Sequence, residues 1–147
     1  MSMSFGKITA TARYLPEKIV SNDDLAEWMD TSDEWIQSRT GIKQRHIAET
    51  ENTSDMCALV AKKLIDKSGI DPVDLDFIIV ATMSPDYTSP SVACQVQGEL
   101  GAKQAMAFDI AAACAGFVYA LATAENFMRA GMQRGIVIGG EKTSKLL

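Results

Sequence analysis

The chain has a single histidine, His46, and three cysteines, Cys57, Cys94 and Cys114, with no Cys-x-x-Cys pair in 147 residues. A zinc site needs clustered Cys and His ligands, and a disulfide framework needs paired thiols, so neither a metal nor a disulfide is expected. Basic charge is also short, with 14 Lys and Arg against 19 Asp and Glu and a formal net charge of −5. Nucleic-acid binders present a basic face to phosphate, so no nucleic acid is implied as a partner. The uncharged stretch Ile110 to Ala124 is bracketed by Asp109 and Glu125 and falls short of the ~20 residues that a membrane span needs. It reads as a core helix. Met1 to Gly6 lacks a basic segment followed by an apolar one, so no secretory signal is read and the cytoplasm is the expected compartment.

With 47% hydrophobic residues the chain is able to bury one core, and residues 1–147 read as one domain with no low-complexity linker or internal repeat. Phe5 to Tyr14 reads as a strand closed by Leu15-Pro16. Ser21 to Asp24 and Thr31 to Glu34 both have capping-box spacing, ahead of short helices at Leu25 to Met29 and Trp35 to Ser38, with Gly41 just beyond the second. Met56, Leu59, Val60 and Leu64 form an amphipathic face on a helix stopped at Gly69. Leu75 to Thr82 is a continuous apolar strand, and Pro90 to Leu100 a helix ending at Gly101. Ala105 to Ile110 is a strand, Cys114 to Arg129 a helix, and Gly135 to Ile138 a strand. Glu141 to Leu147 shows no closing helix or strand. This alternation predicts an α/β fold with a mostly parallel sheet covered by helices.

Cys114 stands where a strand hands over to a helix. A helix N-terminus stabilises a thiolate, and Ala111, Ala112, Ala113, Ala115 and Gly116 leave room for a carbonyl to approach the first-turn N–H groups as an oxyanion hole. Phe117, Val118 and Leu121 follow at i+3, i+4 and i+7, which puts the sulfur on the core side, at the floor of a cleft. A helix dipole supplies at best ~2 kcal/mol, and one pKa unit is about 1.36 kcal/mol, so a free thiol near 8.5 also needs a base from elsewhere. By position alone, a buried cysteine is more often a small hydrophobe.

The string Phe108-Asp-Ile-Ala-Ala-Ala-Cys114-Ala-Gly-Phe-Val-Tyr-Ala-Leu121 resembles the nucleophile segment of β-ketoacyl-acyl carrier protein synthase III. Tyr14 to Glu17, Asp30 to Ile42 with Arg45 to Ala48, and Pro90 to Gln97 resemble the same family in the same order, covering nearly the whole chain. The resemblance implies a thiolase-like fold of two α/β halves, of which this chain is the first, and a homodimer formed across their sheets. It implies an acyltransferase in which Cys114 takes an acyl group from a short acyl-CoA and malonyl-acyl carrier protein then condenses with it. No cofactor is implied, because acyl-CoA is a substrate.

In the family a His and an Asn of the second half complete the site, so the chain alone is expected to be inactive unless a separate polypeptide supplies them. Thr31, Trp35 and Arg39 match the coenzyme A site, the indole stacking on adenine and the guanidinium meeting phosphate; without the resemblance they read as a packed aromatic and a solvated charge. Ser89, before Pro90 in the loop from Thr82, matches the residue that lines the partner's acyl pocket, where its small side chain leaves room for branched primers. His46 reads as a structural hydrogen-bonding group. Three alternatives stay open: another thiolase-fold enzyme such as a thiolase or hydroxymethylglutaryl-CoA synthase; a cysteine hydrolase, which would need a histidine after Cys114; and a non-catalytic dimerising module.

Overall fold

The structure is a computed structural model that describes residues 5–146; the leader reading over Met1 to Ser4, and Leu147, lie outside the described residues. The chain runs through β1 (Lys18–Ser21), α1 (Asn22–Ala26), α2 (Asp33–Thr40), β2 (Gln44–Ile47), α3 (Thr53–Ser68), β3 (Phe77–Ala81), α4 (Val92–Leu100), β4 (Met106–Ile110), α5 (Gly116–Arg129) and β5 (Gly135–Gly139). Single 3₁₀ turns lie at Pro72–Asp74, Ala113–Ala115 and Thr143–Leu146. The last of these adds one turn to the segment after β5, where no closing helix or strand is expected.

β3 is the centre of a parallel sheet ordered β4-β3-β5, and all five of its residues are buried. Successive strand residues face opposite ways. Ile78 and Val80 therefore enter one core with Cys57, Ala58 and Ala61 of α3 and Val92, Ala93 and Val96 of α4. Phe77, Ile79 and Ala81 enter the other, with Ala120 and Ala124 of α5. Both faces being covered explains why β3 is apolar without alternation, each buried aliphatic side chain contributing roughly 1.5–3 kcal/mol. Gly135 is required where β5 meets β3, because a Cβ there would lie 2.1 Å from the Phe77 ring.

The expected face of α3 is met at three of its four positions, with Met56 buried and Val60 and Leu64 packed on the core, whereas that of α5 is rotated. On α3 the buried residues are Thr53, Met56, Cys57, Ala58 and Ala61, whereas Leu59 is exposed. On α5 they are Gly116, Ala120 and Ala124, spaced i, i+4 and i+8, while Phe117, Val118 and Leu121 are exposed. Small residues let the helix backbone approach the sheet, and a Cβ on Gly116 would already be 3.3 Å from that of Ala81. The bulk is thereby turned outward.

A smaller layer joins β1 to β2, antiparallel, in register Lys18 with Ile47 and Ser21 with Gln44. Val20, Leu25 and Ile36 form its core. Ser21 caps α1 in the expected capping box with Asp24, but the cap of α2 is Ser32, one residue past Thr31, accepting from the Trp35 N–H at 3.1 Å.

Phe5 to Tyr14 joins no ladder, which corrects the strand expected there. It is tied down through side chains: the Gly6 N–H donates to Glu125 at 2.8 Å, and Lys67 donates to the Thr11 carbonyl at 3.0 Å. Alternating sequence favours an extended conformation but does not supply a neighbour. A cavity of about 710 Å³ separates residues 6–12 from β5, whose outer edge has no partner strand among the described residues.

Candidate active site

β4 ends at Ile110, and the backbone then turns sharply. Ala112 has φ −136° and ψ 29°, Ala113 has φ +46°, and α5 starts at Gly116. Left-handed backbone costs an L-residue roughly 1–2 kcal/mol, so the turn at Ala113 is held by its surroundings. Cys114 sits in the 3₁₀ turn between strand and helix, two residues before α5. Its side chain is exposed, not at the floor of a cleft, because Gly116 and Ala120 occupy the sheet-facing side.

Two donors expected for an oxyanion hole are engaged within the turn. The Ala115 N–H donates to the Ala112 carbonyl at 3.1 Å and the Gly116 N–H to that of Ala113.

The three thiols differ in what their surroundings allow. Cys57 is 1% exposed, and burial, reinforced by the negative charges of Asp109, Asp86 and Glu141, pushes its pKa up to about 12. It is a packing residue. Cys94 and Cys114 are free and exposed.

Asp109 is the residue that sequence reasoning missed. Its two oxygens accept from the Val92 N–H at 2.9 Å and the Ala93 N–H at 2.8 Å, fastening β4 to the start of α4. The signal was present: Asp109 is the one charge between Ala105 and Ala124.

Trp35 and Arg39 are brought together on α2, the guanidinium carbon lying 4.7 Å from the indole centroid, and the ring remains 54% exposed. Thr31 is half-buried immediately before the Ser32 cap. The position of α2 depends on Asn22, which is buried and also went unread. Its amide donates to Asp33 at 2.8 Å and to the Ile42 carbonyl at 2.8 Å, and its oxygen accepts from Arg45 at 2.7 Å. Hydrogen bonds from Asn22 and then Gln37 hold the Asp33 carboxyl below the usual carboxylate range.

Ser89 is exposed and precedes Pro90 through a cis peptide. Its loop starts at Thr82, whose N–H donates to the Ile110 carbonyl at 3.1 Å, so the loop and the cysteine turn leave neighbouring strands together. His46 faces the Pro16 carbonyl at 2.6 Å, the structural role expected of it. Among the described residues no group of three or more His, Cys, Asp or Glu side chains is placed to hold a metal, and no helix is long and apolar enough to cross a membrane.

A cysteine turn at the end of a parallel strand, followed by a helix laid on the sheet through small residues, fits one α/β half of the thiolase type, and comparison with known proteins gives the same result. The profile of 3-oxoacyl-[acyl-carrier-protein (ACP)] synthase III matches residues 108–147. The β-ketoacyl-[acyl-carrier-protein] synthase III of Enterococcus faecalis is 58% identical over 145 residues, covering 98% of this chain and 45% of the relative. That of Lactococcus lactis is 59% identical over 146 residues, covering 99% and 45%. The synthase III crystal structure from Aquifex aeolicus superposes with a TM-score of 0.86 at 47% identity, over 90% of this chain and 43% of that one. The structure from Thermus thermophilus gives 0.88 at 40% identity, over 95% and 44%.

In sequence and fold the chain therefore belongs to the β-ketoacyl-[acyl-carrier-protein] synthase III family, corresponding to its N-terminal half. It spans a little under half the length of the curated relatives it matches.

Proposed function

We propose that the chain supplies the acyl-accepting half of a cytoplasmic β-ketoacyl-acyl carrier protein synthase III, with Cys114 as nucleophile and no bound cofactor. The observation that carries this reading is the exposed Cys114 thiol on a left-handed turn between β4 and α5. The thiolate attacks the carbonyl of a short acyl-CoA, a new carbon–sulfur bond forms, and coenzyme A leaves as its thiolate and takes up a proton. We assign the oxyanion contact to the N–H of Cys114, since those of Ala115 and Gly116 are engaged. Thr31, Trp35 and Arg39 would hold the coenzyme A.

Condensation with malonyl-acyl carrier protein expels CO₂, which leaves the carbanion with no proton to remove, and needs hydrogen-bond donors at the thioester oxygen of the developing enolate. His46 is turned to the Pro16 carbonyl, so we assign these groups to a second half lying outside these residues, in the same or a companion polypeptide. Phe117, Val118 and Tyr119 on α5, with Met83 and Tyr87 on the loop, are exposed and suit a homodimer or that second half. In the dimer Ser89 would line the partner's acyl pocket, and Ser89→Phe is expected to favour acetyl-CoA over isobutyryl-CoA in the assembled enzyme.

The test is intact-protein mass spectrometry of the chain before and after incubation with acetyl-CoA, with Cys114→Ser as control. An acetyl-sized gain that the variant lacks supports the reading. A parent chain that gains nothing, or a Cys114→Ser variant that gains equally, overturns it. The pure 147-residue chain is expected to release no β-ketoacyl product.

A further inference from the structure

The backbone around Cys114 is pinned on both sides of its left-handed residue. Upstream, Asp109 accepts from the Val92 and Ala93 N–H groups, and the Ile110 carbonyl accepts from the Thr82 N–H. Downstream, Gly116 is wedged against Ala81. Ala113, with φ +46°, lies between these anchors, and a non-glycine residue keeps such a conformation only where its surroundings over-determine it.

Capping α4 does not by itself account for Asp109. That helix already has Ser91 as its N-cap, whose hydroxyl accepts from the Cys94 N–H at 3.1 Å. Asp109 instead takes the N–H groups of Val92 and Ala93, the first two of the helix, while the Ser91 hydroxyl is committed to the third. Its carboxylate joins α4 to the last turn of backbone before the cysteine. No salt bridge reaches Asp109 among the described residues, and both its oxygens are committed to backbone.

We propose that Asp109 is a positioning residue for Cys114: by fastening β4 to α4 it maintains the left-handed backbone at Ala113 that presents the thiol. The consequence for acyl transfer rests on the reading of Cys114 as acyl acceptor, but the geometric claim does not. Without the anchor, Ala113 relaxes toward negative φ and the thiol leaves its place ahead of α5. Glycine adopts positive φ without the penalty, so Ala113→Gly should offset the loss of Asp109. A residue that only stabilised α4 would not be rescued in this way.

The experiment measures, in the 147-residue chain, the rate of Cys114 alkylation by iodoacetamide across pH, located by peptide mass spectrometry, with circular dichroism as a check of folding. Asp109→Ala is expected to slow Cys114 about tenfold, and Asp109→Ala with Ala113→Gly to return within about threefold of the parent. Asp109→Asn, which keeps one acceptor oxygen, should fall between and carries the comparison if the alanine variant does not fold. A folded Asp109 variant that alkylates at the parent rate, or a loss that Ala113→Gly does not recover, overturns the proposal. Acetyl uptake from acetyl-CoA is followed in parallel. Its absence in the parent counts against the acyl-acceptor reading alone, because the alkylation series decides the role of Asp109 without it.

Discussion

The Ser84 hydroxyl donates to the Glu141 carboxylate at 2.5 Å. The Met83 N–H donates to the other oxygen at 2.7 Å, and the Lys142 N–H returns to the Ser84 oxygen at 2.8 Å. One carboxylate after β5 thus buckles the start of the Thr82 loop, with Thr53 donating to the Ser84 carbonyl at 2.6 Å from α3. Hydrogen bonds to a charged group contribute roughly 1.5–3 kcal/mol, and the exposure of Glu141 places its effect at the low end. Glu141→Ala is expected to cost about 1–2 kcal/mol, lowering Tm by about 3–8 °C, with Glu141→Gln recovering part. An unchanged melting curve for the alanine variant would remove Glu141 from the loop's support.

Cys57 gives a pH prediction at the alkaline end. Its pKa in the folded chain is raised to about 12 by burial, from an ordinary value of 9.0. The folded state therefore keeps this proton where the unfolded state loses it, and stability present below pH ~9 falls as pH rises toward 12, at most by about 1.4 kcal/mol per unit. Urea titrations at pH 8, 9 and 10 should show this decline, and Cys57→Ala should flatten it. In the native chain iodoacetamide is expected to modify Cys94 and Cys114 and spare Cys57. Rapid modification of all three would contradict the burial.

What the sequence makes legible follows from which signals are local. The apolar run at Phe77 to Ala81, the Ser21 capping box and the left-handed stops at Gly41, Gly69 and Gly101 each depend on near neighbours, and each is read correctly. The face of α5 and the place of Leu59 on α3 are not local. Leu59, Phe117 and Val118 look like core residues, yet the sheet takes the small residues because a close helix backbone covers it better. β1 and β2 pair across 22 intervening residues, and Gln44-Arg-His-Ile47 carries no alternating apolar pattern to announce a strand. Ala113 gives no sign of its positive φ, since alanine ordinarily has helical or extended backbone. At the site, the place of Cys114 between strand and helix is legible and its exposure is not.

Asp76 is one of the carboxylates that contribute to stability at the acid end. Its carboxylate accepts from the Gln133 N–H at 2.7 Å and the Arg134 N–H at 3.0 Å, tying the entry of β3 to the entry of β5. These two backbone bonds hold its carboxyl below the usual range. The folded state therefore favours the ionised form, and the stabilisation is complete above the unfolded pKa near ~3.9 and lost as pH falls through the lower folded value. Asp76→Asn should lower stability at pH 7 and flatten the acid limb of a stability-versus-pH curve between about pH 5 and 2. A variant whose acid limb kept the parent slope would assign that slope to other carboxylates.

The stacked pair Trp35 and Arg39 separates a folding role from a binding one. The guanidinium covers one face of an indole that remains 54% exposed, so neither side chain contributes much to the core. Trp35→Ala is accordingly expected to leave Tm within about 2 °C of the parent, as for other surface substitutions. If the indole stacks on the adenine of coenzyme A, a contact worth roughly 1–3 kcal/mol, the same variant should weaken acetyl-CoA binding about tenfold or more by calorimetry. Arg39→Gln tests the phosphate contact differently. The parent should bind more weakly as NaCl rises from 50 to 300 mM, and the variant should lose much of that dependence, since a screened guanidinium–phosphate attraction is what salt weakens. Unchanged affinity in Trp35→Ala, with an unchanged salt response in Arg39→Gln, would move coenzyme A recognition off α2.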